Sequence, residues 1–126
     1  MADPAFLLDS NICIYILEDR QGSVAHPLAE QLAGSTVTSS IAAAEIERGL
    51  RDVDAEARAA ADAFFDAVAV LPFDQLAAKA YAEIPFRRAR FDRLIAAHAM
   101  ALGLTLVTNN PADFADIPGL RVENWT

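Results

Sequence analysis

At 126 residues the chain is long enough to bury one self-supporting core and short for two. Its net charge of −8 argues against a bare electrostatic grip on nucleic acid, because an acidic surface repels phosphates; such a partner requires the acids to be gathered on a cation or the few basic residues to be gathered in one place. The single cysteine, Cys13, excludes an internal disulfide, and no apolar run reaches the length of a membrane span.

The opening Met1-Ala2-Asp3-Pro4 has neither the basic flank nor the apolar stretch of a secretory signal, so the expectation is a cytoplasmic protein of one domain, residues 1–126. Ala5-Phe6-Leu7-Leu8-Asp9 reads as a short buried strand ending at a carboxylate. Residues 11–17 form an apolar helix and residues 24–32 a second one. Gly34-Ser35 breaks the pattern before a strand at Thr36-Val37-Thr38, and Ser39 or Ser40 can cap a helix that runs to Arg51. Residues 54–67 are an alanine-rich helix, residues 68–73 a β-type apolar run, and Asp74 caps a helix ending near Glu83. After Pro85, residues 91–102 are an amphipathic helix closed by Gly103. Residues 104–108 are a strand, Asn110-Pro111 starts a short helical turn, and residues 120–122 are the last strand. Strands alternating with helices imply an α/β sandwich around a parallel sheet. Ligands of such sheets bind at the carboxyl ends of the strands, where Asp9 and Thr108 fall.

Four acids invite a chemical reading. Asp9 ends a buried strand, a position suited to a catalytic or metal-binding carboxylate, and equally to capping the helix that follows. Glu45 has Ile41, Ala42 and Gly49 as same-face neighbours, whereas Glu47 points elsewhere and can pair with Arg51 at i, i+4. A glutamate interrupting an apolar face either binds something or snorkels at the edge of that face. Asp92 opens the helix 91–102, whose face continues through Ile95, Ala96 and Ala99; taken alone it reads as a cap. Asp113 follows Asn110 by three residues with Pro111 between, close to a capping arrangement. His98 reads as a packing residue, His26 precedes Pro27, and Cys13 reads as a small core residue. No His/Cys spacing resembles a zinc site, and there is no glycine-rich phosphate loop.

Taken in order, these segments resemble PIN domains. Phe6-Leu7-Leu8-Asp9-Ser10-Asn11-Ile12 resembles their opening strand, residues 39–50 around Ala44-Glu45-Ile46 their second acidic motif, Phe91-Asp92-Arg93-Leu94-Ile95-Ala96-Ala97-His98-Ala99 the third, and Thr108-Asn109-Asn110-Pro111-Ala112-Asp113-Phe114 the fourth. The ending, Pro118-Gly119-Leu120-Arg121-Val122-Glu123-Asn124-Trp125, is similar to VapC-type toxins. Each motif alone is weak; four in order over nearly the whole chain are specific. The resemblance implies a PIN-like three-layer α/β sandwich with a five-stranded parallel sheet flanked by helices. It implies a Mg²⁺-dependent endoribonuclease, with Mn²⁺ as a substitute, that is a homodimer and is neutralised by a cognate VapB-like antitoxin. Carried onto matching positions, the acids are Asp9, Glu45, Asp92 and Asp113, with Asp9 and Asp92 expected as direct ligands and Glu45 and Asp113 acting directly, through water or in proton transfer. Ser10, Asn11, Thr108 and Asn110 match supporting polar positions. The expected chemistry is in-line attack of a metal-activated water on an RNA phosphodiester, since bare carboxylates would repel the substrate.

One segment departs from the family. Where many relatives carry a longer glycine-containing stretch, this chain has the short Ile84-Pro85-Phe86-Arg87-Arg88-Ala89-Arg90. With Arg93, it concentrates arginine beside Asp92 in a chain with one lysine, Lys79. Arg87, Arg88 and Arg90 are candidates for contact with RNA phosphates or with antitoxin carboxylates; the alternative is a solvated loop. Two other classes of function compete with this reading. A phosphoaspartate enzyme would need a second Asp where Asn11 stands, and a receiver domain would need a lysine where Asn109 and Asn110 follow Thr108. A catalytically silent PIN-like dimer that only binds RNA or an antitoxin is the non-enzymatic alternative.

Overall fold

The computed structural model describes residues 2–18, 25–88 and 90–126, with the backbone alone for residues 25 and 26. Its strands are β1 (Phe6–Leu8), β2 (Thr36–Ser39), β3 (Ala69–Leu71), β4 (Thr105–Val107) and β5 (Val122–Glu123). Its helices are α1 (Ser10–Glu18), α2 (Ala25–Ala29), α3 (Ser40–Gly49), α4 (Ala55–Ala67), α5 (Gln75–Glu83) and α6 (Phe91–Leu102), with a 3₁₀ turn at Pro111–Phe114. All strand pairings are parallel, in the order β3-β2-β1-β4-β5.

The alternation of side chains along a strand builds two cores from three residues of β1. Leu7 joins Val37, Leu106, Ile95, Ala96 and Ala99 on the face covered by α5 and α6, while Leu8 joins Ile12, Ile16, Phe64, Val68 and Val107 on the face covered by α1 and α4. Both β1 residues are fully buried, so a carboxylate placed one residue later emerges at the end of a doubly covered sheet.

Strand order makes that end a crevice. From β1 the chain moves outward to β2 and β3, then returns to pair β4 on the other side of β1. The loops after β1 and β4 therefore leave in opposite directions, the place where ligands of open α/β sheets bind.

Capping follows the sequence closely. Ser39, Asp54 and Asp74 each accept a hydrogen bond from a backbone amide of the first turn of α3, α4 and α5. Gly103 ends α6 in the left-handed region, at φ 70°. Three expectations shift. The β-type run 68–73 gives only Ala69–Leu71, because Val68 still closes α4 with a bond to the Phe64 carbonyl and the Phe73 amide turns away to the Ser40 hydroxyl. The second helix is described over Ala25–Ala29; Val24, its expected start, lies outside the described residues. The final strand is Val122–Glu123 rather than 120–122, fixed by amide bonds from Leu106 to Arg121 and from Thr108 to Glu123. No described helix is long and apolar enough to cross a membrane.

Candidate active site

Asp9 leaves β1 with its amide bonded to the Val107 carbonyl of β4, 3.0 Å, and is 5% exposed. Its Oδ1 accepts from the Ile12 amide at 2.9 Å, so the carboxylate caps α1 and also stands at the crevice; the two readings of this residue are compatible. Burial pushes its pKa up, the nearby Asp92 charge adds to that, and the Thr108 hydroxyl with the Ile12 and Asn11 amides pulls the other way.

Glu45 comes from the middle of α3, whose start is fixed by the Ser39 cap. Its pKa is also raised, first by desolvation and then by the Asp92 and Asp9 charges, with the Ser10 hydroxyl favouring the ionised form. Glu45 Oε1 is buried and, among the described residues, has no hydrogen-bond partner, a costly state for a carboxylate oxygen. Of its expected face, Ala42 is buried and Ile41 half-buried, while Gly49 is exposed. Glu47 does lie on another face, but its partner is not Arg51. Arg58, in the first turns of α4, grips it bidentately at 2.7 and 2.8 Å; Arg51 turns to Asp52.

Asp92 sits in the first turn of α6, where the helix dipole favours an anion. The N-cap position is Arg90, without a side-chain cap bond, so Asp92 is not consumed as a cap. Instead it takes the Arg90 guanidinium in a two-point ion pair, Arg90 Nε donating to Oδ1 at 2.9 Å and Nη2 to Oδ2. Arg90 Nη2 also donates to Asp113 Oδ2 at 3.1 Å. Asp113 is the third residue of the 3₁₀ turn that Pro111 opens, and Asn110 at its N-cap makes no side-chain cap bond. Thr108 is 1% exposed, and its hydroxyl accepts from the Asn110 amide at 3.2 Å. Asn11 and Asn110 are exposed.

The structure thus brings Asp9, Glu45 and Asp92 within mutual electrostatic range and attaches Asp113 to Asp92 through Arg90. Among the described residues, no three Asp, Glu, His or Cys side chains stand close enough to share one ion in this conformation. Like charges repel, and Arg90 draws Asp92 and Asp113 to itself. The donor chemistry nonetheless fits a hard divalent cation: every candidate donor is oxygen, and Glu45 Oε1 lacks a partner that such an ion would supply.

Of the other arginines, Arg87 contacts Asp116 at 3.4 Å and Arg88 is exposed. Arg93 is the surprise. It is 0% exposed, with Nη1 donating to the Pro85 carbonyl and Nη2 to the Asp113 carbonyl, both at 3.1 Å, and to Asp116 Oδ1 at 2.7 Å. It therefore ties the loop carrying Asp113 to α6. The sequence carried a signal: Arg93 lies in the stripe of Ala96, Ala97 and Met100, an apolar face. His98, 2% exposed, bonds the Ser39 hydroxyl at 2.8 Å and meets Phe73 edge-on; it supports the α3 cap rather than the acids.

The PIN domain family model matches residues 6–120. The chain is 33% identical over 130 aligned positions to the tRNA(fMet)-specific endonuclease VapC of Shigella flexneri, covering 96% of this chain and 98% of that protein. It is similar to DNA-bound VapBC from Salmonella typhimurium, with TM-score 0.86, 29% identity, and 98% and 99% of the two chains covered. It is also similar to VapBC2 from Rickettsia felis bound to a promoter DNA fragment, with TM-score 0.83, 29% identity, and 97% and 99% covered. On these matches and on the sheet order that carries its acids, the chain belongs to the PIN domain family and groups there with the VapC proteins.

Proposed function

We propose that this chain is a Mg²⁺-dependent endoribonuclease, the toxin of a toxin–antitoxin pair, acting as a homodimer. The observation that carries the reading is that Asp9, Glu45 and Asp92 lie within electrostatic range of one another at one crevice, with a Glu45 oxygen that is buried and without a hydrogen-bond partner among the described residues. Carboxylates whose ionised forms are disfavoured together in one crevice mark a candidate functional site. The names of the relatives support RNA as the substrate, with initiator tRNA the first to test, and the VapBC complexes support a VapB-like protein partner.

Asp9 and Asp92 are the direct ligands in this reading. Asp9 is held by the Ile12 amide and by β4, so it offers its second oxygen without reorganising. Asp92 offers a carboxylate on the rigid first turn of α6. Glu45 and Asp113 complete the charge balance and take or return a proton at their carboxyl oxygens. Ser10 and Thr108 orient Glu45 and Asp9. A bound Mg²⁺ or Mn²⁺ supplies an activated water and relieves charge on the phosphoryl group.

The experiment is RNA cleavage by the purified protein with Mg²⁺, with chelator, and by Asp92→Asn. Cleavage is expected only in the first case. Full cleavage by a well-folded Asp92→Asn protein would defeat the assignment. A silent PIN-like dimer that binds RNA or antitoxin is favoured by one observation, the absence of a three-donor cluster among the described residues. It predicts no Mn²⁺ binding and no cleavage.

A further inference from the structure

Four arginines stand near Asp92 in the sequence, and the structure does not treat them alike. Arg93 is sealed in the core, Arg87 leans on Asp116, and Arg88 projects into solvent. Among the described residues, Arg90 alone touches two of the candidate acids, Asp92 by two nitrogens and Asp113 by one.

We infer that Arg90 is a phosphate-binding residue held in waiting, its guanidinium kept on Asp92 and Asp113 until a divalent ion claims those carboxylates and then passed to an RNA phosphate. The inference rests on the metal-dependent reading above. Three observations carry it. The side chains of Arg90, Asp92 and Asp113 are 34%, 27% and 40% exposed, so solvent reaches all three groups and the guanidinium can exchange its partners without opening the core. A buried pair like that of Arg93 would be locked. The backbone of Arg90, in contrast, is fixed: its carbonyl accepts from the Arg93 amide at 3.1 Å at the start of α6. A guanidinium that leaves the carboxylates therefore stays within one side-chain length of them. Finally, the planar fork that fits a carboxylate fits a phosphate equally well. Arg90 thus keeps the metal-free acids from repelling one another, yields them to the cation, and supplies the positive charge that an acidic protein otherwise lacks at its substrate.

The test is calorimetric titration of Mn²⁺ into wild type, Arg90→Gln, Arg90→Lys and Arg88→Gln, without RNA. Arg90→Gln should bind Mn²⁺ about fivefold more tightly, the ratio that exposed ion pairs of this kind are worth. Arg90→Lys, with charge but no fork, should fall between. Arg88→Gln should stay near wild type, which separates contact from a general change of charge. Binding of a non-cleavable 2′-O-methyl RNA is then measured in Mn²⁺ and in chelator. In Mn²⁺, Arg90→Gln should bind more weakly, with a salt slope shallower by about one unit. In chelator it should bind like wild type. Equal Mn²⁺ affinity for wild type and Arg90→Gln, or equal gains for Arg90→Gln and Arg88→Gln, would overturn the inference and leave the nuclease reading standing. Loss of antitoxin binding with RNA binding intact would overturn it in favour of a protein partner at Arg90. Failure of wild type and every variant to bind Mn²⁺ at millimolar concentration would sink both.

Discussion

Replacing Arg93 with methionine keeps a long apolar stem in the core but removes a guanidinium that is 0% exposed. That group holds three acceptors on two separate segments, the Pro85 carbonyl on one and the Asp113 carbonyl and Asp116 Oδ1 on the other. Removing one partner of a buried charged network costs about 3–5 kcal/mol. Two features place Arg93→Met at the lower end. The Asp116 side chain is 33% exposed and can rehydrate, and Arg93 Nε is itself buried without a partner, a cost that the substitution relieves. The expected loss is about 3 kcal/mol, or a fall of about 10 °C in Tm for a domain of this size. Urea unfolding followed by circular dichroism reads it as a lower midpoint at unchanged m-value. Arg93→Lys, which keeps the charge but cannot span all three acceptors, should lose less. At temperatures where both proteins are folded, Arg93→Met should also bind Mn²⁺ more weakly than wild type, because the loop bearing Asp113 has lost its tie to α6. A stability loss below about 1 kcal/mol, the size of an ordinary surface change, would refute the claim that Arg93 anchors that loop.

Asp9→Asn should stabilise the metal-free protein at neutral pH while abolishing cleavage. Burial raises the Asp9 pKa, so its ionised form is disfavoured by folding; that penalty is full above the raised value and gone below the ordinary 3.8, and asparagine can still accept from the Ile12 amide. Chemical denaturation across pH should show the advantage shrinking to nothing as pH falls toward that ordinary value; no advantage at neutral pH would contradict the burial argument. Glu45→Gln should cripple cleavage, whereas Glu47→Gln should leave activity unchanged and cost at most about 1 kcal/mol, because its Arg58 pair is exposed; equal activities for the two variants would end the assignment of Glu45. The Cys13 thiol, fully buried and pushed up to about 12, should resist alkylation until the protein unfolds, and rapid native-state labelling would show that α1 opens locally.

Much of this protein is determined by near neighbours in the sequence, and near neighbours are what a sequence displays. The apolar run ending at Asp9, the caps at Ser39, Asp54 and Asp74, and the glycine closing α6 each depend on residues within a turn or a strand, so the elements and the parallel α/β class could be read directly. The same local logic marked Glu45 as out of place on its face. What no local pattern contains is which separated segments meet. Glu47 pairs with Arg58 rather than Arg51 because the turn after α3 brings the start of α4 within its reach, and a bidentate fork outweighs a single flexible contact. Arg93, one of four neighbouring arginines in the sequence, is drawn into the core because Pro85, Asp113 and Asp116 arrive from elsewhere to satisfy it. Arg90 meets Asp113 across 23 residues of chain, and Asp9 comes within electrostatic range of Asp92 because the chain returns from β3 to the far side of β1. The composition supplied an acidic chain with few cations; only the tertiary structure decided where that charge is concentrated and which guanidinium stands over it, since charges interact through space and not along the chain.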